Sequence, residues 1–79
     1  MKVKLEQYHN NEYDCEVYEY YIEDWSAICD YTDVVLLLRQ LVKFEEFIIG
    51  EICHSDDYVF NGFMMAGCDL IDLCRKYDI

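Results

Sequence analysis

Between Lys4 and Arg39 the chain carries no lysine or arginine, yet this stretch holds nine carboxylates: Glu6, Glu12, Asp14, Glu16, Glu19, Glu23, Asp24, Asp30 and Asp33. No local cation can neutralise them, so they belong in water, because an unpaired charge is too costly to bury. The apolar residues between them must then face the other way. Six of the eight tyrosines and the only tryptophan, Trp25, lie in the same stretch. Such a dense, uncompensated acidic surface with aromatics repels nucleic acid and membranes and attracts basic proteins.

The pattern for doing so is strand-like. Lys2-Val3-Lys4-Leu5-Glu6 and Tyr13-Asp14-Cys15-Glu16-Val17 alternate with period two. Asn10-Asn11 between them is a turn signal, since Asn tolerates positive φ. A β-hairpin of about 2–9 and 13–22 is expected. A two-residue loop would set Leu5 opposite Glu16, whereas a three-residue loop pairs His9 with Tyr13 and sets Leu5 opposite Val17. The second register is favoured, because a slip of one residue swaps faces. It buries Val3, Leu5, Tyr13, Cys15, Val17 and Tyr21. Glu6, Glu12, Asp14, Glu16, Tyr18 and Tyr20 then face outward, with Glu6 opposite Glu16 as a like-charge pair.

Residues 23–31 read as a loop or short helical turn around Trp25. Thr32 or Asp30 can cap a helix, and Asp33 suits a helix N-terminus. Leu37, Leu41, Phe44 and Ile48 recur at helical spacing, which predicts a helix over about 33–49. His54-Ser55-Asp56-Asp57 reads as a solvated turn. Phe63, Ala66, Leu70, Leu73 and Tyr77 mark a second helix, whose start stays open because Asn61-Gly62 offers a turn. Gly67 inside it suggests a close approach to the first helix. The expected fold is α+β, one domain over 1–79 in the order β-β-α-α, with two helices on one face of a small antiparallel sheet. An all-α bundle is the weaker option.

Chemistry is sparse. Cys53 and His54 are adjacent and cannot simply form a nucleophile–base pair. The five cysteines are irregularly spaced, form no zinc knuckle, and read as reduced core filler. No calcium loop or phosphate-binding glycine loop is present, so no catalytic residue, metal or cofactor is expected. No apolar leader or membrane span is apparent, which points to the cytoplasm. Six basic residues against seventeen acidic ones disfavour direct binding to nucleic acid or membranes.

What remains is the charge. A chain of this length should be about 30 Å across. Its net charge of −11 compares with about 17 on the same length of duplex. Exposed aromatics beside carboxylates suit arginine, which pairs with anions and stacks on rings. Glu12, Asp14, Glu16, Tyr18, Tyr20, Glu23, Asp24 and Asp30 are therefore the candidate partner-binding residues. The expected partner is a basic nucleic-acid-binding protein or complex, with a homodimer as a further option.

In size, acidity and lack of catalytic residues the chain resembles small phage-encoded inhibitors such as anti-CRISPR proteins and other DNA mimics. The resemblance spans the whole chain but involves no motif, so it transfers no residue. It implies a non-enzymatic, stoichiometric inhibitor acting in the host cytoplasm, blocking the DNA- or RNA-binding surface of a defence complex. Two other readings share the composition: an immunity or antitoxin protein that neutralises a basic nuclease, and a structural homo-oligomeric adaptor.

Overall fold

The Asn10-Asn11 turn forms, but with four loop residues rather than three. Asn10 Oδ1 accepts from the amides of Glu12 and Tyr13 at 3.0 and 3.4 Å, and Asp14 takes a left-handed φ of 50°. In the computed structural model, which describes residues 1–79, strand β1 (Val3–Asn10) therefore pairs with β2 (Cys15–Ile22) from Asn10↔Cys15 to Val3↔Ile22. Leu5 sits opposite Tyr20, not Val17, and Glu6 opposite Glu19, not Glu16. The register differs from the expected one by an odd number of residues, so the faces are exchanged. Tyr18, Tyr20 and Ile22 turn inward. Tyr13, expected in the core, is 71% exposed at the loop, and Leu5 and Tyr21 are also exposed.

Helix α1 (Tyr31–Lys43) follows. Asp30 is its N-cap, accepting from the Asp33 amide at 3.0 Å, and the Asp33 carboxylate accepts from Cys29 N. Val34, Leu37, Leu38 and Leu41 are fully buried. The helix stops at Lys43, well short of the expected 49. Glu45 has φ 60°, its amide donates to Val42 O, and Glu46 N donates to Leu41 O at 2.8 Å. That pair of bonds is a Schellman stop, a left-handed residue closing the last turn. Phe44 and Ile48, expected on the buried face, are exposed, and the chain continues through a single 3₁₀ turn (Ile49–Glu51).

The segment left open after Ser55 is a second hairpin. Strands β3 (Asp57–Phe60) and β4 (Phe63–Ala66) meet at Asn61-Gly62, whose φ values of 46° and 90° are those of a tight hairpin turn. Phe63 to Ala66 is thus strand, not helix, and helix α2 spans Gly67–Lys76. The sheet order is β1-β2-β3-β4, with β2 and β3 parallel at its centre. The α+β class and the two helices stand; the order is β-β-α-β-β-α rather than β-β-α-α.

One apolar core lies between the sheet and the helices. It joins Tyr20, Ile22, Tyr58 and Phe60 to the α1 leucines, Phe47, Leu70 and Leu73. Tyr18 stacks on Tyr58 and Tyr20 on Phe60 across the parallel pair. Gly67 approaches the 53–56 loop rather than α1. A Cβ there would lie 1.8 Å from Cys53 O, and the Gly67 and Cys68 amides donate to Asp56 O and His54 O. These loop carbonyls replace the side-chain cap that α2 lacks. All five cysteines are free; Cys74 is buried, Cys15 and Cys53 half-buried, and Cys29 and Cys68, expected as core filler, are exposed.

Candidate interaction surface

Because β2 and β3 run parallel, their first residues share one end of the sheet, beside the β1–β2 loop. Glu12 and Asp14 lie in that loop and Glu16 on the second residue of β2. Asp57 opens β3 and Asp56 immediately precedes it. Glu16 N donates to Asp56 Oδ1 at 3.2 Å, and Cys15 Sγ lies 3.5 Å from Asp57 Oδ2. Five carboxylates thus gather at this end without a lysine or arginine in ion-pair contact.

His9 is the one cation available to them. Its Nε2 is 3.0 Å from Asp14 Oδ1 and its Nδ1 3.0 Å from Glu16 Oε1. Carboxylates only accept, so both contacts are hydrogen bonds only when both ring nitrogens carry protons. The bond to Glu16 raises the His9 pKa above its ordinary value, partial desolvation opposes the rise, and the bond to Asp14 adds to it. The sequence puts His9 at the end of the expected first strand, opposite Tyr13. Its place opposite Glu16, between two carboxylates, follows from the four-residue loop.

The remaining candidates do not join this end. Glu23 and Asp24 follow β2 at the opposite end of the sheet, about 23 Å away for a strand of this length. There Asp24 Oδ1 accepts from Lys2 N at 3.4 Å, and an open depression of about 610 Å³ is lined by Lys2, Lys4, Tyr21, Glu23 and Trp25. These acids have lysines for neighbours. Asp30 is occupied as the cap of α1.

Tyr18 and Tyr20, expected to face outward, point into the core side of the sheet. Tyr20 is 8% exposed, and burial, with Tyr58 and Tyr18 beside it, pushes its phenol up to about 12. Tyr18 is half-buried under its stack with Tyr58. The aromatics of the β1–β2 hairpin that do reach solvent are Tyr13 in the loop and Tyr8 and Tyr21 on the helix-free face, where the Tyr8 hydroxyl donates to Glu19 at 3.4 Å. Asp56 and Asp57 were legible only as a turn, since nothing in the sequence pairs residue 17 with residue 57.

No group of three or more His, Cys, Asp or Glu side chains has metal-holding geometry, and no helix is long and apolar enough to cross a membrane. No family model, curated protein or solved structure matches this chain.

Proposed function

We propose that this chain is a non-enzymatic, protein-binding inhibitor whose acidic end occupies the nucleic-acid-binding surface of a basic partner, as an anti-defence protein of the nucleic-acid-mimic kind would. One observation carries the reading: Glu12, Asp14, Glu16, Asp56 and Asp57 converge at one end of the sheet with only His9 among them. Packing such carboxylates together opposes folding, and His9, paired with Asp14 and Glu16, is the only internal cation that offsets it. An arginine-rich surface would satisfy them with charge-assisted bonds. Tyr13, in the same loop and exposed, supplies a ring on which a guanidinium can stack.

The molecule measures 31 × 26 × 23 Å. Its net charge of −11 over 31 Å compares with about 18 on that length of duplex, a field of similar order. Association with a basic partner should be fast and weaken steeply with salt.

The test is an affinity pull-down from bacterial lysates carrying defence systems, read by mass spectrometry at low and high salt. Recovery of a nucleic-acid-binding complex, released by salt and by its own DNA or RNA, supports the proposal. The paired variants Glu12→Lys/Asp14→Lys and Glu23→Lys/Asp24→Lys then separate the two ends. Loss of binding in the first and retention in the second is the expected result. Equal binding by a folded Glu12→Lys/Asp14→Lys variant would sink the assignment.

A further inference from the structure

Strand β1 is an open edge. Lys2 O accepts from Glu23 N, which fixes the alternation of the β1–β2 ladder. Even-numbered residues of β1 bond to β2, and Val3, Leu5, Gln7 and His9 direct their N–H and C=O groups away from the sheet. Nothing covers them. The strand has eight residues, no proline and no covering helix, and every residue from Lys4 to His9 is exposed. Such an edge is a template for another strand. The opposite edge, β4, has only four residues and runs directly into α2.

The side chains on this edge are complementary to themselves. Lys4 and Glu6 lie on the helix-free face, already 3.1 Å apart as a pair, and Leu5, 50% exposed, lies on the other face. Consider a second copy running antiparallel with the two-fold axis at Leu5. Lys4 then faces the partner's Glu6, Glu6 faces the partner's Lys4, and Leu5 meets the partner's Leu5. Val3 and Gln7 take up each other's edge groups. Moving the axis one residue either way would put Lys4 opposite the partner's Lys4, or Glu6 opposite the partner's Glu6.

We infer that β1 is a homodimerisation edge: two copies pair antiparallel about Leu5 into one continuous eight-stranded sheet. The inference is independent of the proposed function. Charge favours this location over any other in the N-terminal half. Lys2 and Lys4 are the only lysines before the acidic stretch, so self-association meets least repulsion here. The antiparallel arrangement also sends the two acidic loops in opposite directions, from strand ends roughly 33 Å apart at 3.3 Å per residue. Each stays free for a partner of its own.

Sedimentation velocity on the full chain over a range of concentrations tests the inference. The expected species has twice the 9.5 kDa chain mass. Lys4→Glu and Glu6→Lys, both at exposed positions, should each weaken the dimer about tenfold or more, since opposed like charges replace opposite ones. Mixing the two variants should restore it as a heterodimer, in which every pair is again opposite in charge. Hydrogen exchange on the unaltered protein is the check that needs no variant. The Leu5 and Gln7 amides should gain protection only at concentrations where the dimer forms. A monomer up to about 1 mM, a dimer indifferent to both variants, or variants that do not recombine would each overturn it.

Discussion

His9 and Asn61 show how much a single side chain settles in this molecule. His9 satisfies Asp14 and Glu16 only as the imidazolium, and its pKa is raised in the folded state. The sign of the linkage follows. Its contribution to stability is complete below the unfolded-state value of 6.5 while both carboxylates remain ionised, and it is lost as pH rises through the folded pKa. An NMR titration should show His9 titrating above the ordinary value of 6.5, with the Asp14 and Glu16 resonances moving as it does. His9→Ala should abolish that step. Asn61 has a different task. Its Oδ1 accepts from Ile22 N at 2.8 Å, and its Nδ2 faces the carbonyls of Ile22, Trp25 and Ser26 at 3.2 to 3.3 Å. One amide therefore fastens the loop after β2 to the β3–β4 turn. Asn61→Gly keeps the turn geometry, so the loss it produces in urea denaturation, about 2 kcal/mol or more, reports the fastening alone. The sequence marks Asn61 as a turn residue because Asn-Gly announces one; the loop it holds lies about forty residues earlier and leaves no local trace.

Among the elements, both helices end the same way. Glu45 and Asp78 take left-handed conformations, and Glu46 N and Ile79 N donate back to Leu41 O and Cys74 O. Left-handed backbone costs an L-residue about 1–2 kcal/mol, and glycine avoids most of it. Glu45→Gly should therefore stabilise the fold by about 1 kcal/mol in thermal or urea denaturation, with α1 unchanged in length by NMR. That stop explains why periodicity overran the helix. Phe44 and Ile48 extend the spacing of Leu37 and Leu41, but no glycine or proline marks the break. The strands failed differently. In β2, Cys15, Val17 and Tyr21 on one face compete with Tyr18, Tyr20 and Ile22 on the other, and an alternating pattern cannot choose between two apolar faces. Loop length chose, through the Asn10 side chain. The β3–β4 hairpin was the more readable signal: Asn-Gly between apolar runs is a strong hairpin mark, yet Phe63, Ala66 and Leu70 also fit a helical spacing. The acidic candidates scattered for the same reason. Glu12, Asp14 and Glu16 are neighbours in sequence and stayed together, whereas Glu23, Asp24 and Asp30 lie past the far end of β2.

At the scale of the molecule, charge repulsion is spread over the whole fold. Of the ion pairs present, only Lys4–Glu6 involves a lysine, and both its side chains are well exposed. The molecule is 31 Å long, and the screening length falls from about 30 Å at 0.01 M salt to about 8 Å at 0.15 M. At low salt every carboxylate feels the others; at moderate salt only its neighbours. The melting temperature should therefore rise by several degrees over that range, the opposite of a protein held by salt bridges, and calorimetry at fixed pH measures it. The parallel pair at the centre of the sheet bears on how the chain reaches this state. Each hairpin closes over a short loop, but β2 meets β3 only when Val17 finds Asp57 across the intervening α1. Closing that long segment is the entropically demanding step. Substitutions in the β2–β3 seam should accordingly slow refolding in a chevron experiment. Those in β1, whose hairpin closes locally before that step, should slow it too, so the open edge is in place before the sheet is joined.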